Sequence, residues 1–297
     1  HSHPRWIVEK WIKELGSVKE VEVLCRANNM VPPLTIRVNE FKSEIASLQK
    51  KLDEEGYSSS RTGLSPFGLI IDRKEDIFKT RAFKEGFLEV QDEGSQLVTL
   101  LTGAKPGELV IDACAGNGGK SLFLSSLMKN RGTIIASDLS PVKLANLRKR
   151  ATKAGAFNIK TANKESLNKY DKKGDCVFID APCSGMGVFR RNPDSKWRLT
   201  PDDVKELAAK QKEILSEFSR LVKPTGRLVY ATCTISKEEN EDNVHGFLNE
   251  NKDYYLVPVS EMPGFGFGKL ISEDGFFRSM PHIHNTDGFF GAVMIRR

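Results

Sequence analysis

The chain has 297 residues, 39% of them hydrophobic and 28% charged, with a formal net charge of +6. That length suits one large core or a catalytic domain with a smaller appendage, the apolar content argues against a disordered chain, and the mild positive excess favours an anionic partner. Five cysteines, an odd number without a Cys-x-x-Cys pair or paired histidines, argue against a disulfide framework and a metal site and fit a reducing cytoplasm.

No apolar run approaches the roughly 20 residues of a membrane helix, and no signal-peptide pattern opens the chain, so a soluble, monomeric protein is expected. The first residue is His1 rather than methionine, which suggests that upstream sequence has been trimmed.

In chain order, Trp6, Ile7, Trp11 and Ile12 recur at helical spacing and predict a helix over Pro4–Leu15, followed by a second over Val18–Ala27. Pro32-Pro33 breaks the pattern. Leu34–Val38 reads as a strand, Phe41–Leu52 as an amphipathic helix ending near Gly56, and Phe67–Ile71 as another short strand. Residues 1–85 are therefore expected to form a small α/β appendage, and residues 86–297 the catalytic domain.

From Val90 a regular alternation sets in. Helix Glu93–Leu101, strand Leu109–Asp112, helix Gly119–Met128, strand Thr133–Ser137, helix Pro141–Ala154 and a short strand near Ile159 come first. Strand Cys176–Ile179, helix Pro201–Leu221 and strand Arg227–Ala231 complete it, and Tyr255–Val259 and Phe289–Ile295 are expected to add antiparallel edge strands. Strands alternating with helices imply a parallel, Rossmann-like sheet covered on both faces, with ligands at the carboxyl ends of the strands.

Three segments fall at such ends. In the first, Asp112 closes an apolar strand and Gly116, Gly118 and Gly119 lead into a helix, so the backbone can turn tightly and approach a ligand. The order is neither the dinucleotide fingerprint nor the phosphate loop, which would require glycine where Cys114 stands. Asp138, at the end of the next strand, can accept hydrogen bonds from ribose hydroxyls. A plain turn without a ligand is the alternative.

The second and third segments carry cysteines, Asp180-Ala181-Pro182-Cys183-Ser184-Gly185 and Ala231-Thr232-Cys233-Thr234. A thiol reacts as thiolate and needs a polar or electropositive setting, which a strand-end loop supplies and an apolar helix or strand does not. Cys25, Cys114 and Cys176 are accordingly expected to be inert packing residues, and Cys183 and Cys233 reactive. Arg190, Arg191, Lys196, Trp197 and Arg198 follow the Cys183 loop as a basic, aromatic-bearing segment suited to phosphate contact and base stacking. A solvated loop is the alternative. The Lys143, Arg148, Lys149, Arg150 run reads as a solvated helix face.

Taken with Asp112–Lys120, Met186-Gly187, Arg190–Asp194, Val90–Ser95 and Thr286-Asp287-Gly288-Phe289-Phe290, these segments resemble the RsmB/Sun-type RNA cytosine-carbon-5 methyltransferases over essentially the whole chain. The resemblance implies S-adenosylmethionine as cofactor, a Rossmann-like catalytic domain and an RNA-recognition-like N-terminal domain. It implies Cys233 as nucleophile, Cys183 in breakdown of the covalent adduct, Asp180 on the cytosine ring and Lys120 beside donor and cysteines. It also implies cofactor contacts from Cys114, Ala115, Gly116, Asn117, Gly118, Gly119, Lys120, Asp138, Asn163 and Asp180.

Asn117 stands where the family usually has proline, Thr234 where serine is usual, and Asn163 where an acidic residue commonly meets the adenine; the last puts cofactor affinity in question. Small-subunit ribosomal RNA is the expected substrate. Transfer RNA, and a non-catalytic RNA-binding assembly factor, are the alternatives. DNA cytosine methylation would use the Cys183 position as nucleophile, and amino-group methylation would not place a cysteine after Pro182.

Overall fold

The computed structural model describes residues 1–72, 76–262, 266 and 268–297. Strands β1 (Leu34–Val38), β2 (Ser59–Arg61), β3 (Gly68–Ile71) and β4 (Leu88–Val90) form a small antiparallel sheet in the order β2-β3-β1-β4. Helix Ile45–Glu54 lays Ile45, Leu48 and Leu52 on it, against Ile36, Val38 and Leu69. This helix begins later than its amphipathic pattern suggests. Asn39 Oδ1 accepts the Phe41 amide in a turn, and Phe41 packs instead against the cluster of Leu122 and Leu147 in the larger half of the chain.

The expected boundary at residue 85 is corrected by β4. It pairs with β1 through Val90, so the small sheet closes only there, and a boundary at 85 would strip an edge strand from it. The first two helices, Arg5–Leu15 and Val18–Asn28, also depart from the expected appendage. Their buried face, Ile7, Trp11, Val21 and Leu24, meets Met186, Phe189 and Val204 rather than the small sheet. Trp11 is fully buried with its ring 6.0 Å from that of Phe189, a contact whose truncation to alanine costs about 3–5 kcal/mol. These helices therefore brace the loop that carries Cys183.

The large sheet comprises β5 (Leu109–Asp112), β6 (Thr133–Ser137), β7 (Ile159–Ala162), β8 (Gly174–Asp180), β9 (Val222–Thr232), β10 (Tyr254–Val257), β11 (Phe277–Ser279) and β12 (Phe289–Arg296). Its order is β10-β12-β9-β8-β5-β6-β7, with β11 paired to β12. Strands β5 to β9 are mutually parallel; β12 runs antiparallel to β9 and β10 antiparallel to β12. Of the two expected edge strands, β12 lies inside the sheet and only β10 is an edge.

Both faces of the sheet are buried, as a parallel sheet requires. Ile111, Val177, Ile179 and Leu228 pack beneath Leu215 and Phe218 of helix Pro201–Ser219, while Val110, Cys176, Phe178 and Val229 pack against Leu97 and Leu124. Helix Pro201–Ser219 starts sharply because Thr200 and Asp203 form a reciprocal capping box with proline in the first turn. Strand β9 begins at Val222, well before the expected Arg227. Pro224 and Gly226 disguise it, and the pairing with β8 indeed shifts register between Gly174 and Cys176.

The chain runs outward from β5 to β6 and β7 and then returns to β8 on the other side of β5. That reversal opens a crevice at the carboxyl ends of β5 and β8. Asp112 and Asp180 end those two strands.

Candidate active site

A cleft of about 450 Å³ lies over the crevice, lined by Gly116, Asn117, Gly119, Lys120 and Asp180 on one side and by Gln91, Asp92 and Phe289 across it. Gly118, between Asn117 and Gly119 of that lining, packs against Leu147. Its φ is +87°, a conformation open to glycine at little cost, and a Cβ there would overlap the Leu147 side chain. Helix Gly119–Leu127 starts directly afterwards without a side-chain cap, so its first amides and the positive end of its dipole are available to a ligand.

Asp112 lies beneath the loop, fully buried, with one carboxylate oxygen accepting the Ser121 hydroxyl at 2.5 Å. Burial pushes its carboxyl up to about 7, against the opposing hydrogen bond from Ser121. Asp138 ties the loop to the next strand, accepting the amides of Gly116 at 2.9 Å and Ser140 at 2.8 Å. Asn163 is exposed and its Oδ1 accepts the Ser166 amide at 3.1 Å, closing the turn after β7. Cys114 and Ala115 follow Asp112 in the loop, with Cys114 on the cleft wall.

Lys120 reaches from the first turn of its helix to Asp180, Nζ to Oδ2 at 2.6 Å, and lies 5.4 Å from the Phe289 ring centre. Burial alone would disfavour its ammonium, but Asp180 more than offsets this and holds the lysine charged. Beyond Asp180, the Sγ atoms of Cys183 and Cys233 approach to 3.3 Å. The hydrogen bond to Cys233 and then burial push the Cys183 thiol well above the usual range, so it stays protonated. Burial likewise raises the thiols of Cys25, Cys114 and Cys176.

Backbone contacts clamp the two cysteine loops together. The Gly187 amide donates to the Cys233 carbonyl at 3.0 Å and the Gly187 carbonyl accepts the Gly288 amide at 2.8 Å. The structure thus places Lys120 and Asp180 on the wall of the cleft, and holds Cys183 and Cys233 together in the loops that follow β8 and β9, with Cys233 near enough to Lys120 to favour its charge.

The basic segment is corrected in part. Arg190 is buried and its guanidinium donates to Asp287 Oδ1 at 2.8 Å; Lys196 is buried and donates to Asn29 Oδ1 at 2.9 Å. Neither presents its charge to solvent, because the helices at the N-terminus and the Asp287 turn cover them. Arg191 lines the cleft and bonds both Asp92, at 2.7 Å, and Asp287. Trp197 and Arg198 are exposed. Arg150, assigned above to a solvated face, instead donates to the Asn117 carbonyl at 2.7 Å and to Glu89 of the small sheet at 2.6 Å.

Two groups escaped the sequence reading. Asp92 and Asp287 anchor the arginines, and both lie in the quoted Val90–Ser95 and Thr286–Phe290 segments without having been given a role. Glu239, buried behind both cysteine loops, sits in a Lys-Glu-Glu run for which no role was expected.

The sequence model of the 16S rRNA methyltransferase RsmB/F matches residues 98–295, and that of the RsmF/B-like ferredoxin-like domain matches residues 3–78. The chain belongs to the RsmB/F methyltransferase family. Among its relatives, the probable ribosomal RNA small subunit methyltransferase B of Bacillus subtilis is 36% identical over 307 residues, covering 100% of this chain and 67% of the relative. The solved structure of PH0851 superimposes with a TM-score of 0.90 at 35% identity, covering 98% of this chain and 66% of that one.

A methyltransferase homologue from Pyrococcus horikoshii superimposes with a TM-score of 0.81 at 27% identity, covering 99% of this chain and 100% of that one. The chain spans about two thirds of the length of the curated RsmB relatives it matches. Membership in the RsmB/F family accounts for the Rossmann-like sheet and for the ferredoxin-like domain at its N-terminal side.

Proposed function

We propose that this chain methylates carbon 5 of cytosine in RNA, with S-adenosylmethionine as donor, Cys233 as nucleophile and small-subunit ribosomal RNA as substrate. The observation that carries the proposal is the 3.3 Å approach of the Cys183 and Cys233 sulfurs beside the Lys120–Asp180 pair. Two neighbouring thiols in the loops after β8 and β9, with a lysine–carboxylate pair at the end of β8, are what a thiol-addition mechanism needs.

The cleft suits the donor. Its volume is that of a small-molecule site, and Gly119 and Lys120, in the uncapped first turn of helix Gly119–Leu127, line it. Gly116, Asn117, Gly119 and Asp180 would hold the donor, which supplies an electrophilic methyl group. Asp138 and Asn163, at the ends of β6 and β7, are the groups proposed for its ribose and adenine.

Carbon 5 of cytosine is a poor nucleophile until carbon 6 carries an added group. The Cys233 sulfur adds to carbon 6 and so makes carbon 5 electron-rich. Asp180, fixed by Lys120, hydrogen-bonds the ring, and the Lys120 ammonium beside it favours the thiolate that adds. Carbon 5 would then take the donor's methyl group, and loss of its hydrogen as a proton would break the carbon 6–sulfur bond and free Cys233; Cys183 serves this breakdown of the adduct. For RNA contact the exposed pair Trp197 and Arg198 replaces the broader basic segment, the ring for stacking and the guanidinium for phosphate.

The test is incubation with labelled S-adenosylmethionine and, separately, ribosomal RNA, transfer RNA and duplex DNA, followed by nucleoside mass spectrometry. 5-Methylcytidine in ribosomal RNA is expected. Cys233→Ala should abolish turnover and Cys183→Ala should leave a persistent protein–RNA adduct. 5-Methylcytidine in transfer RNA alone would overturn the substrate, and turnover by Cys233→Ala would overturn the mechanism.

A further inference from the structure

Glu239 has no part in the chemistry proposed above, yet its carboxylate is wholly buried in the described structure and touches both cysteine loops. It follows β9 in the short turn Lys237–Glu239 and is 0% exposed. Oε1 accepts the Ser184 amide at 2.8 Å and Gln211 Nε2 at 3.0 Å; Oε2 accepts the Ser184 hydroxyl at 2.5 Å and the Thr234 hydroxyl at 3.3 Å. Ser184 follows Cys183, and Thr234 follows Cys233. Gln211 also donates to the carbonyl of Pro182, the residue before Cys183, at 2.9 Å.

A buried carboxylate is costly unless its lone pairs are filled, and here donors from both cysteine loops and from helix Pro201–Ser219 fill them. The turn that carries it is itself pinned, since the Tyr230 hydroxyl donates to the Glu239 carbonyl at 2.6 Å. The two hydroxyls also lie within hydrogen-bond distance of each other, 2.8 Å apart, so Glu239 gathers the two loops into one polar cluster directly behind the thiols.

We propose that Glu239 is a positioning residue that holds Cys183 and Cys233 in mutual reach through Ser184 and Thr234. The proposal rests on the reading of these two thiols as the reacting pair. Position, rather than charge, is the quantity it supplies. In Glu239→Gln the amide oxygen can keep the two N–H donors while its NH₂ donates to the two hydroxyl oxygens, which rotate to accept; in Glu239→Ala the Ser184 amide and Gln211 lose their acceptor, and the loops are left with the Gly187–Cys233 backbone bond and the hydroxyl contact between them.

The thiol geometry can be read without RNA, by the affinity of the purified full chain for phenylarsine oxide, which bridges two neighbouring thiols; a Cys183→Ala control identifies the pair. Wild type is expected to bind, Glu239→Ala to lose at least about tenfold in affinity, and Glu239→Gln to stay within about threefold, since one or two buried hydrogen bonds separate them. A folded Glu239→Ala protein that binds as wild type does would overturn the proposal, as would a Glu239→Gln protein as weak as Glu239→Ala, which would make charge the operative quantity.

If Glu239→Ala does not fold, the pair Ser184→Ala and Thr234→Val cuts the same clamp from the other side. It should weaken arsenical binding by at least about threefold, and unchanged binding would overturn the proposal. A wild-type protein that binds the arsenical but methylates no RNA would refute the proposed function alone. Methylation by wild type together with undiminished arsenical binding by Glu239→Ala would refute the positioning alone.

Discussion

Gly187→Ala is the substitution that most directly probes how the three loops at the site are held. Gly187 is buried, and a Cβ added there would lie 2.8 Å from the Cys233 carbonyl oxygen and closer still to the Gly288 carbonyl. Both obstacles are backbone, so neither can rotate away. The same residue donates to Cys233 at 3.0 Å and accepts from Gly288 at 2.8 Å, and relieving the overlap must stretch those bonds.

Overpacking of this kind costs about 1–3 kcal/mol and each net hydrogen bond lost about 0.5–1.5 kcal/mol. The expected destabilisation is therefore about 2–6 kcal/mol, a large share of the ~5–15 kcal/mol that holds a typical protein folded. Urea unfolding measures it. In the protein that remains folded, methyl transfer should fall about 100-fold, as expected when reacting groups shift by about 1 Å. A loss of stability under about 1 kcal/mol, with methyl transfer intact, would refute the argument that these loops touch through Gly187.

Gly246→Ala should do the opposite: it lies inside helix Glu241–Glu250, and the nearest obstacle to a Cβ is the flexible end of Lys212 at 4.0 Å, so urea unfolding should show a gain of about 0.5–1 kcal/mol. Arg190→Met should cost about 3–5 kcal/mol by leaving Asp287 short of its buried partner. It should leave the salt dependence of RNA binding unchanged, whereas Arg198→Ala should reduce that slope by about 1.

Stability should also depend on pH through Asp112, whose carboxyl is raised from 3.8 to about 7. Between those values the folded state holds a proton that the unfolded state has released, so this contribution is fully present below 3.8 and is lost as pH rises towards 7. Asp112→Asn should remove up to about 4 kcal/mol of that decline. The measurement is the difference between the unfolding free energies of the two proteins across that range, because Glu241, raised by burial in the same direction, contributes equally to both.

The catalytic domain was legible because its signals are local. Strands such as Val110–Asp112 and Val177–Asp180 are short apolar runs punctuated by glycine, proline and acidic residues, and the helices between them carry caps such as Thr200-Pro201. The small strands Ser59–Arg61 and Phe277–Ser279 were missed because three residues carry no period. The start of β9 was missed because Pro224 and Gly226 read as a turn. The boundary at residue 85 failed because Leu88–Val90 belongs to the small sheet by pairing with a strand fifty residues earlier in the chain, which no local pattern reports.

At the site, residue type and position in the strand order singled out Cys183 and Cys233, since thiols at strand ends stand out against apolar strands, whereas the parts expected of Asp180 and Lys120 came from the family resemblance. The sequence could not say which charges face solvent. Arg190 and Lys196 read like Arg198, yet they are buried because Asp287 and Asn29, distant in the chain, supply their partners. It could not distinguish Glu239 from its neighbour Glu238 either. Side-chain identity determines which reactions are chemically open to this protein. Burial and partner choice depend on contacts between segments far apart in sequence, and those only the tertiary structure decides.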